Sequence, residues 1–353
     1  MAVTAVRQVS SQGTLRPMNP AQDLRVIASL IQEAFASEMD DRARAALREL
    51  QWMGRLWPFV WWWAQADPTF QDAFNGLVWE EPVPGSRQGQ IVGNVSLNRT
   101  PGNRHHWIIC NVVVRQDYQR RGIGRKLTQA AIEQARLLGA DQVLLQVREH
   151  NLPAYRLYQE LGFRPIGGET EMVLSQVPIV AVLAAPGYEI RRWRPADGPD
   201  VLNLASLAVP KADQWLRPVR AAHYHPDMWT RMGDGLAAFL AARRTYRLVA
   251  LQGKHLVAML SFTAAFRSGH HTLDLLVHPD HAGLLEPALL SRALRILEAA
   301  PPRPVKATVS RDHVHTQSVL ESYGFKAQET LLTLSIEFNQ KGDDGRSQRS
   351  HNL

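Results

Sequence analysis

Val112-Val113-Val114-Arg115-Gln116-Asp117-Tyr118-Gln119-Arg120-Arg121-Gly122-Ile123-Gly124-Arg125-Lys126-Leu127 holds three kinds of local structure in one run. Residues 107–114 are nearly all apolar, the mark of a strand buried on both faces. A basic turn follows. A helical pattern then runs from about residue 123 to 138, and Gly139 ends it. Gly122 and Gly124 carry no Cβ, so the backbone there can approach a ligand closely. The helix start adds unpaired N–H groups and the positive end of the dipole. Successive turn amides form a nest for an anion. Arg120, Arg121, Arg125 and Lys126 surround it with positive charge. The chemistry implied is pyrophosphate binding. It is not a P-loop, because Lys126 is followed by Leu127 and not by Ser or Thr. It is not a dinucleotide fingerprint either, since Leu127 stands where the third glycine would fall. A basic turn capping a surface helix uses the same residues, so this stretch alone does not decide the chemistry.

Around it the chain reads as strands separated by helices. A short strand lies near Leu15, with helices over residues 24–36 and 40–53 and an aromatic-rich segment over 57–74. Strands follow near 77–80, over 90–99 with alternating Ile91, Gly93, Val95 and Leu97, and over 107–114. After the helix come a strand over 142–147 and a helix over 152–161. This order predicts a mixed α/β sheet.

A second element, Asn151-Leu152-Pro153-Ala154-Tyr155-Arg156-Leu157-Tyr158-Gln159-Glu160-Leu161-Gly162-Phe163, follows the next strand. Together the two stretches resemble the GNAT-type N-acetyltransferase superfamily. Its pattern Q/R-x-x-G-x-G/A is met by Gln119, Gly122 and Gly124. Its pattern N-x-x-A-x-x-L-Y-x-x-x-G-F is met by Asn151, Ala154, Leu157, Tyr158, Gly162 and Phe163. The resemblance covers about residues 14–175. It implies acetyl-CoA as co-substrate and no metal. It also implies that backbone groups of Val112, Val113 and Val114 pair with the pantetheine arm. The amides of Gln119, Arg120, Arg121, Gly122, Ile123 and Gly124, with Arg125 beyond, would hold the pyrophosphate. Asn151 would contact the cofactor near the pantetheine, and Tyr158 would sit by the thioester sulfur. The implied mechanism is direct transfer to a neutral amine. The Val114 N–H would polarise the acetyl carbonyl, and Tyr158 would act as general acid toward the sulfur. The other reading of Tyr158 is a packed helix aromatic.

A general base is not evident. The strand Trp107-Ile108-Ile109-Cys110-Asn111 carries no carboxylate. His105 and His106 at its start titrate near neutrality and can relay a proton; a solvated pair at a turn is the simpler account. A base acting through water, or none, stays open. Cys110 is expected to be an inert buried thiol.

The chain has 353 residues, room for about two domains. Leu15-Arg16-Pro17 returns as Ile190-Arg191-Arg192, 175 residues on, and Leu161-Gly162-Phe163 as Tyr323-Gly324-Phe325, 162 residues on. A repeat of this length is a duplicated domain, the second copy having lost a net 13 residues. The expected layout is two GNAT-like domains, 14–175 and 187–339, each a mixed, mostly antiparallel sheet flanked by helices, with a disordered tail over 340–353. The second copy has Ala282-Gly283-Leu284-Leu285-Glu286-Pro287 where the first has its glycine turn. Leu285 and Pro287 replace the two glycines, and Glu286 repels phosphate. His313 replaces Asn151 and Leu320 replaces Tyr158. The second copy is therefore expected to support the fold and wall the acceptor site, and not to bind CoA in the usual way. His223/His225, His313/His315 and His270/His271 lack the acidic or cysteine partners of a metal site.

Six of the ten tryptophans, Trp52, Trp57, Trp61, Trp62, Trp63 and Trp79, lie in one region. There they either line an acceptor pocket, where cation–π attraction would suit an amine, or pack the domain. A net charge of +7 fits any polyanion, including a phosphorylated cofactor. No interleaved aromatic and basic stripe marks a nucleic-acid surface. One cysteine leaves no intramolecular disulfide. The most apolar stretch, residues 56–64, is far short of the roughly 20 residues that span a bilayer. The expectation is a soluble, cytoplasmic acetyl-CoA-dependent N-acetyltransferase acting on a small-molecule primary amine, with no nucleic-acid or membrane partner. A protein or peptide N-acetyltransferase and a non-catalytic acyl-CoA-binding module are the alternatives. The oligomeric state is not readable.

Overall fold

The computed structural model describes residues 8–10, 13–35, 75–85, 89–221 and 242–338. The expected helix over 40–53, the aromatic segment 57–74, five of the six clustered tryptophans (all but Trp79), His223, His225 and the tail 340–353 lie outside them. Two compact units are present. Unit 1 comprises Met1–Gln146, Pro153–Arg164 and Leu334–Leu353; unit 2 comprises Val147–Leu152 and Pro165–Thr333. No helix among the described residues is long and apolar enough to cross a membrane.

In unit 1 the strands β1 (Gln8–Ser10), β2 (Gly13–Pro17), β3 (Gly76–Glu81), β4 (Gln90–Thr100) and β5 (Asn103–Val114) form an antiparallel series. Helix α1 (Pro20–Phe35) lies between β2 and β3 in the chain. β5 then crosses through α2 (Ile123–Leu137) to the parallel strand β6 (Gln142–Arg148), as a parallel pair requires. Helix α3 (Leu152–Glu160) comes next in the chain.

The helices are held by their apolar stripes. Ile123, Leu127, Ala131 and Ala135, four residues apart, are all buried on α2. Ile27, Ala28, Leu30 and Ile31 of α1 pack with Val78, Ile91 and Val113 of the sheet. α2 rides close on β4: a Cβ at Gly93 would lie 2.9 Å from Leu127 Cδ1 and 3.2 Å from Ile123 Cγ2.

Unit 2 contains β8 (Glu189–Arg192), α4 (Gly198–Ala208), β9 (Arg243–Gln252), β10 (His255–Ala265), β11 (His271–Val277), α5 (Glu286–Leu297), β12 (Val305–Ser310) and α6 (Val314–Ser322). β8 to β11 run antiparallel, and β11 pairs with β12 in parallel across α5. Its core gathers Leu285, Leu289, Leu294 and Leu297 around α5 against Leu260, Phe262, Leu273 and Val305 of the strands.

Each unit opens with the same clamp. Arg16 grips Asp23 with two hydrogen bonds, at 2.6 and 3.0 Å, while Asp23 also accepts the Asn19 N–H at 2.7 Å. Arg191 grips Asp197 with two bonds of 2.7 Å, and Asp197 accepts the Arg194 N–H at 2.7 Å. Each clamp ties a strand end to the turn that starts the following helix. The Arg191 guanidinium holds the Asp197 carboxyl below its usual range. That contribution to stability is present above the ordinary carboxylate pKa and fades as pH falls through the lowered one.

Two strands fall in a different unit from the chain that precedes them. β7 (Arg164–Leu174) follows α3 in the chain, yet from Pro165 on it belongs to unit 2, where it pairs antiparallel with β12 from Val305↔Leu174 to Ser310↔Glu169. β13 (Lys326–Glu337) ends in unit 1: buried Gln142 donates to Ser335 Oγ at 2.9 Å, and Phe338 N–H donates to the Asp141 carbonyl at 2.8 Å. The spatial units thus do not follow chain order. A fragment ending at residue 176 lacks Leu334–Glu337 and leaves Gln142 without that partner. We expect this fragment alone to show no cooperative thermal transition, and addition of the chain from 177 onward to restore one. A sharp transition from the fragment by itself would show that β13 is dispensable.

Candidate functional site

The site in unit 1 begins with a parting of strands. β5 pairs with β6 only from His106↔Gln142 to Ile109↔Leu145, while it stays paired with β4 as far as Val114. The edge of β5 beyond Ile109 is therefore open on the β6 side. A bulge intervenes: the register passes from Asn94↔Val113 to Ser96↔Cys110. Asn111 within it has φ +52°, and its carbonyl accepts a 3.1 Å bond from Nδ2 of fully buried Asn94. Asn94 thus pins the bulge that bends β5. An asparagine between Gly93 and Val95, interrupting the stretch Ile91 to Leu97, was the available sequence signal for it, and motif reading passed over it.

Past the bulge the alternation of an antiparallel ladder is regular. Arg115 N–H donates to Val92 O at 2.8 Å, which makes Gly93↔Val114 the non-hydrogen-bonded pair. The Val114 peptide groups accordingly face the open edge and the Val113 groups face β4. Of the three valines expected to serve an arm laid along this strand, Val114 presents its N–H to the cleft, Val112 lies in the bulge, and Val113 is committed to the ladder.

The turn comes next. A 3-10 segment, Gln116–Tyr118, leads to Gln119, whose N–H is donated to the Gln116 carbonyl at 3.2 Å and whose side-chain amide is donated to the Val114 carbonyl at 3.0 Å. Gln119 therefore braces the turn with groups of its own. Arg120 has φ +61° and Gly122 φ +76°, alternations that point successive amides the same way. The N–H groups of Arg120, Arg121, Gly122, Ile123 and Gly124 donate to no acceptor among the described residues. They sit at the N-terminus of α2, where the dipole favours an anion. A Cβ at Gly122 would meet nothing within 4 Å; one at Gly124 would make only ordinary contacts, 3.8 Å to Val114 Cγ2 and 4.0 Å to Leu157 Cδ2. Neither glycine is demanded by crowding within the chain. The free space and the free amides suit the pyrophosphate of acetyl-CoA.

The arginines are held by neighbours. Arg121 donates to the Asp117 carbonyl at 2.8 Å and lies 4.7 Å over the Tyr118 ring. Arg125, expected beside the pyrophosphate, has its guanidinium paired with Glu160 at the end of α3. Arg120 is exposed.

Tyr158 on α3 is buried, its ring edge-on to Phe163 at 6.1 Å. Its hydroxyl makes no hydrogen bond among the described residues. Burial pushes its pKa up to about 12, so it remains a proton donor at neutral pH. Asn151 stands exposed just before α3.

The histidine pair is at the wrong end of the strand. His106 and Val112 are six residues apart on β5, roughly 20 Å at strand rise. His105 Nδ1 contacts the Gly139 carbonyl at 3.2 Å, and burial holds the His106 pKa down. Burial pushes the Cys110 thiol up to about 11, so it stays protonated. Trp79 is buried in β3, with Lys126 Nζ 4.9 Å over its ring. Among the described residues no group of three His, Cys, Asp or Glu side chains could hold a metal ion.

The corresponding turn in unit 2 keeps the backbone and closes the site. A 3-10 segment, Pro279–His281, again precedes it, and Gly283 takes φ +85° at the position of Arg120. Buried Glu286 accepts the Gly283 N–H at 2.8 Å and the Thr316 hydroxyl at 3.3 Å. The chain's own carboxylate caps this turn.

A splayed α/β sheet with an anion cradle at the helix after the splay defines the class. The model of the Acetyltransferase (GNAT) family matches residues 44–163. The L-amino acid N-acyltransferase MnaT of Escherichia coli K12 is 30% identical over 132 residues, 35% of this chain and 69% of that protein. The chain belongs to the GNAT acetyltransferase family. It spans between 21% and 66% of the length of the first curated relatives it matches. The fold is shared with a GCN5-related N-acetyltransferase from Sphaerobacter thermophilus, at TM-score 0.61 and 19% identity over 94% of this chain and 97% of that one. It is shared too with a tandem GNAT protein from the clavulanic acid biosynthesis pathway, at TM-score 0.51 and 20% identity over 92% and 98%.

Proposed function

We propose that this protein is an acetyl-CoA-dependent N-acetyltransferase whose chemistry belongs to the first repeat and whose acceptor is the primary amine of a small molecule. The observation that carries it is the run of five amides, Arg120 to Gly124, at the start of α2 that have no acceptor among the described residues. Bound acetyl-CoA supplies an activated acetyl thioester. The five amides hold its pyrophosphate, with Arg121 and Arg120 adding charge. Val112 and Val114 offer peptide groups along the open edge of β5, and Asn151 contacts the arm from the start of α3. The Val114 N–H donates toward the acyl oxygen, where negative charge grows during transfer. The Tyr158 hydroxyl donates its proton to the departing sulfur. Fixing both reactants in one cleft removes most of the entropic cost of their encounter. β5 has no carboxylate, so the acceptor enters as the free amine and its proton leaves to water.

The tandem layout is part of the proposal. The repeated clamp, the left-handed residues Arg120 and Gly283, and the left-handed helix ends Gly162 and Gly324 support a duplication. Glu286 explains why the second copy does not take the cofactor at its turn. The amino-acid acceptor named for the E. coli relative supports a small acceptor, and the single cysteine a cytoplasmic setting.

A panel of primary amines with acetyl-CoA, read by release of free thiol, tests the reading. Turnover with at least one small amine is expected. Absence of both turnover and acetyl-CoA binding would overturn it.

A further inference from the structure

The bulge in β5 sets two residues, Asn111 and Val112, opposite one, Val95. That count decides which amide reaches the cleft. Leu97 N–H donates to the Asn75 carbonyl at 2.7 Å, so Leu97↔Ile109 is a non-hydrogen-bonded pair and Ile109 turns its peptide groups to β6. Strict alternation from Ile109 would turn Asn111 and Val113 to that side and commit the Val114 N–H to β4. The extra residue reverses the parity and brings Val114 to the open edge.

Side chains hold the bulge in place. Nδ2 of Asn94 donates to the Asn111 carbonyl at 3.1 Å and to Ser96 Oγ at 3.4 Å, while Asn111 Nδ2 lies 3.5 Å from the same hydroxyl oxygen. Asn111 sits at φ +52°, the left-handed state that glycine usually supplies at the first residue of such a bulge. Oδ1 of Asn94 is buried and accepts no hydrogen bond among the described residues. A side chain kept only to fill the core would not carry that penalty.

Unit 2 offers the comparison within the same chain. His278 N–H donates to the Val257 carbonyl at 2.8 Å, as Arg115 N–H does to the Val92 carbonyl at 2.8 Å, which aligns β10 and β11 with β4 and β5. Met259 then stands at the position of Asn94. It packs in an apolar cluster with Val249 and Leu276, and the register of β10 on β11 runs from Ala258↔Val277 to Thr263↔Thr272 without a shift. The amide goes with the bulge, and the thioether with the unbroken ladder.

We propose that Asn94 is a positioning residue for acyl transfer: through Asn111 it holds the extra residue that aims the Val114 N–H at the acyl oxygen. The assignment rests on the acetyl-transfer reading. Asn94 acts through the backbone and touches neither reactant.

Steady-state kinetics with an amine that the wild type acetylates, together with acetyl-CoA binding, test it on the full chain. Asn94→Ala should lower kcat at least about tenfold, part of the roughly hundredfold that outright loss of such a donor costs. The acetyl-CoA Kd, which the turn amides set, should stay unchanged. Adding Asn111→Gly to that variant should recover most of the lost kcat, because glycine takes the left-handed state without a pin. Asn111→Val, at an exposed position, opposes the same state without opening the core and should show the same split between kcat and Kd, whether or not Asn94→Ala folds. In either single variant the Val113 amide, protected in the wild type by its ladder bond to β4, should exchange its hydrogen faster. Wild-type protein that neither binds acetyl-CoA nor acetylates any amine would sink the acetyl-transfer reading and this assignment with it. An active wild type overturns the role of Asn94 alone if kcat is unchanged in a folded Asn94→Ala or in Asn111→Val, if acetyl-CoA affinity falls as much as kcat, if the double variant recovers nothing, or if Val113 exchange is unaltered.

Discussion

Acetyl-CoA at a hundredfold excess over its Kd is expected to add about 2.7 kcal/mol to the stability of the protein, and Gly124→Glu to abolish that gain. The argument is steric and electrostatic. A side chain at Gly124 meets no crowding, its nearest neighbours being 3.8 and 4.0 Å from a built Cβ. A carboxylate in the first turn of α2 also suits the helix dipole, so the variant should fold. What it removes is the space and the charge preference of the free amides from Arg120 to Gly124. Gly124→Ala separates the two effects, because it adds bulk without charge and should lose only part of the stabilisation. Gly283→Ala in unit 2 strains a backbone at φ +85° and lowers the basal melting temperature. It should still leave the shift with acetyl-CoA intact, since Glu286 already occupies that turn. Thermal melts of the variants at several acetyl-CoA concentrations decide the matter. An undiminished shift in Gly124→Glu would sink the assignment of the turn.

Tyr158→Phe should lower kcat by about a hundredfold to ten-thousandfold while changing acetyl-CoA affinity little, as expected for loss of a general acid. The ring stays packed edge-on to Phe163, and the hydroxyl has no partner among the described residues to lose, so stability should hardly move. With its pKa pushed up to about 12, the hydroxyl is protonated through the neutral range. The wild-type rate should therefore show no alkaline decline from this group until the pH nears that value. Single-turnover kinetics against pH check both statements. Unchanged kcat would remove Tyr158 from the reaction.

Much of the fold was legible because its signals are local. The runs at 107–114 and 142–147 and the helix ended by Gly139 became β5, β6 and α2 with small shifts. The first half of β7, from Arg164, carries no apolar strand pattern, and the strand state of β7 comes from pairing with distant β12. The site was legible as a motif and not as a geometry. Gln119 was expected to bind with its amide; instead that amide closes the 3-10 turn, and only the register of β4 against β5 separates Val114 from Val113. Arg125 matches the pattern but is held by Glu160, a partner 35 residues away.

By itself the sequence determined the glycine turn and the asparagine–tyrosine helix, since each depends on residues within a few turns of one another. Tertiary structure alone decided which amides are free, that Asn94 pins the bulge, that Glu286 seals the second turn, and that β7 and β13 fall in a different unit from the chain that precedes them. Those outcomes depend on hydrogen bonds and strand pairings between segments up to about two hundred residues apart, and no local pattern encodes which of many possible partners each group will find.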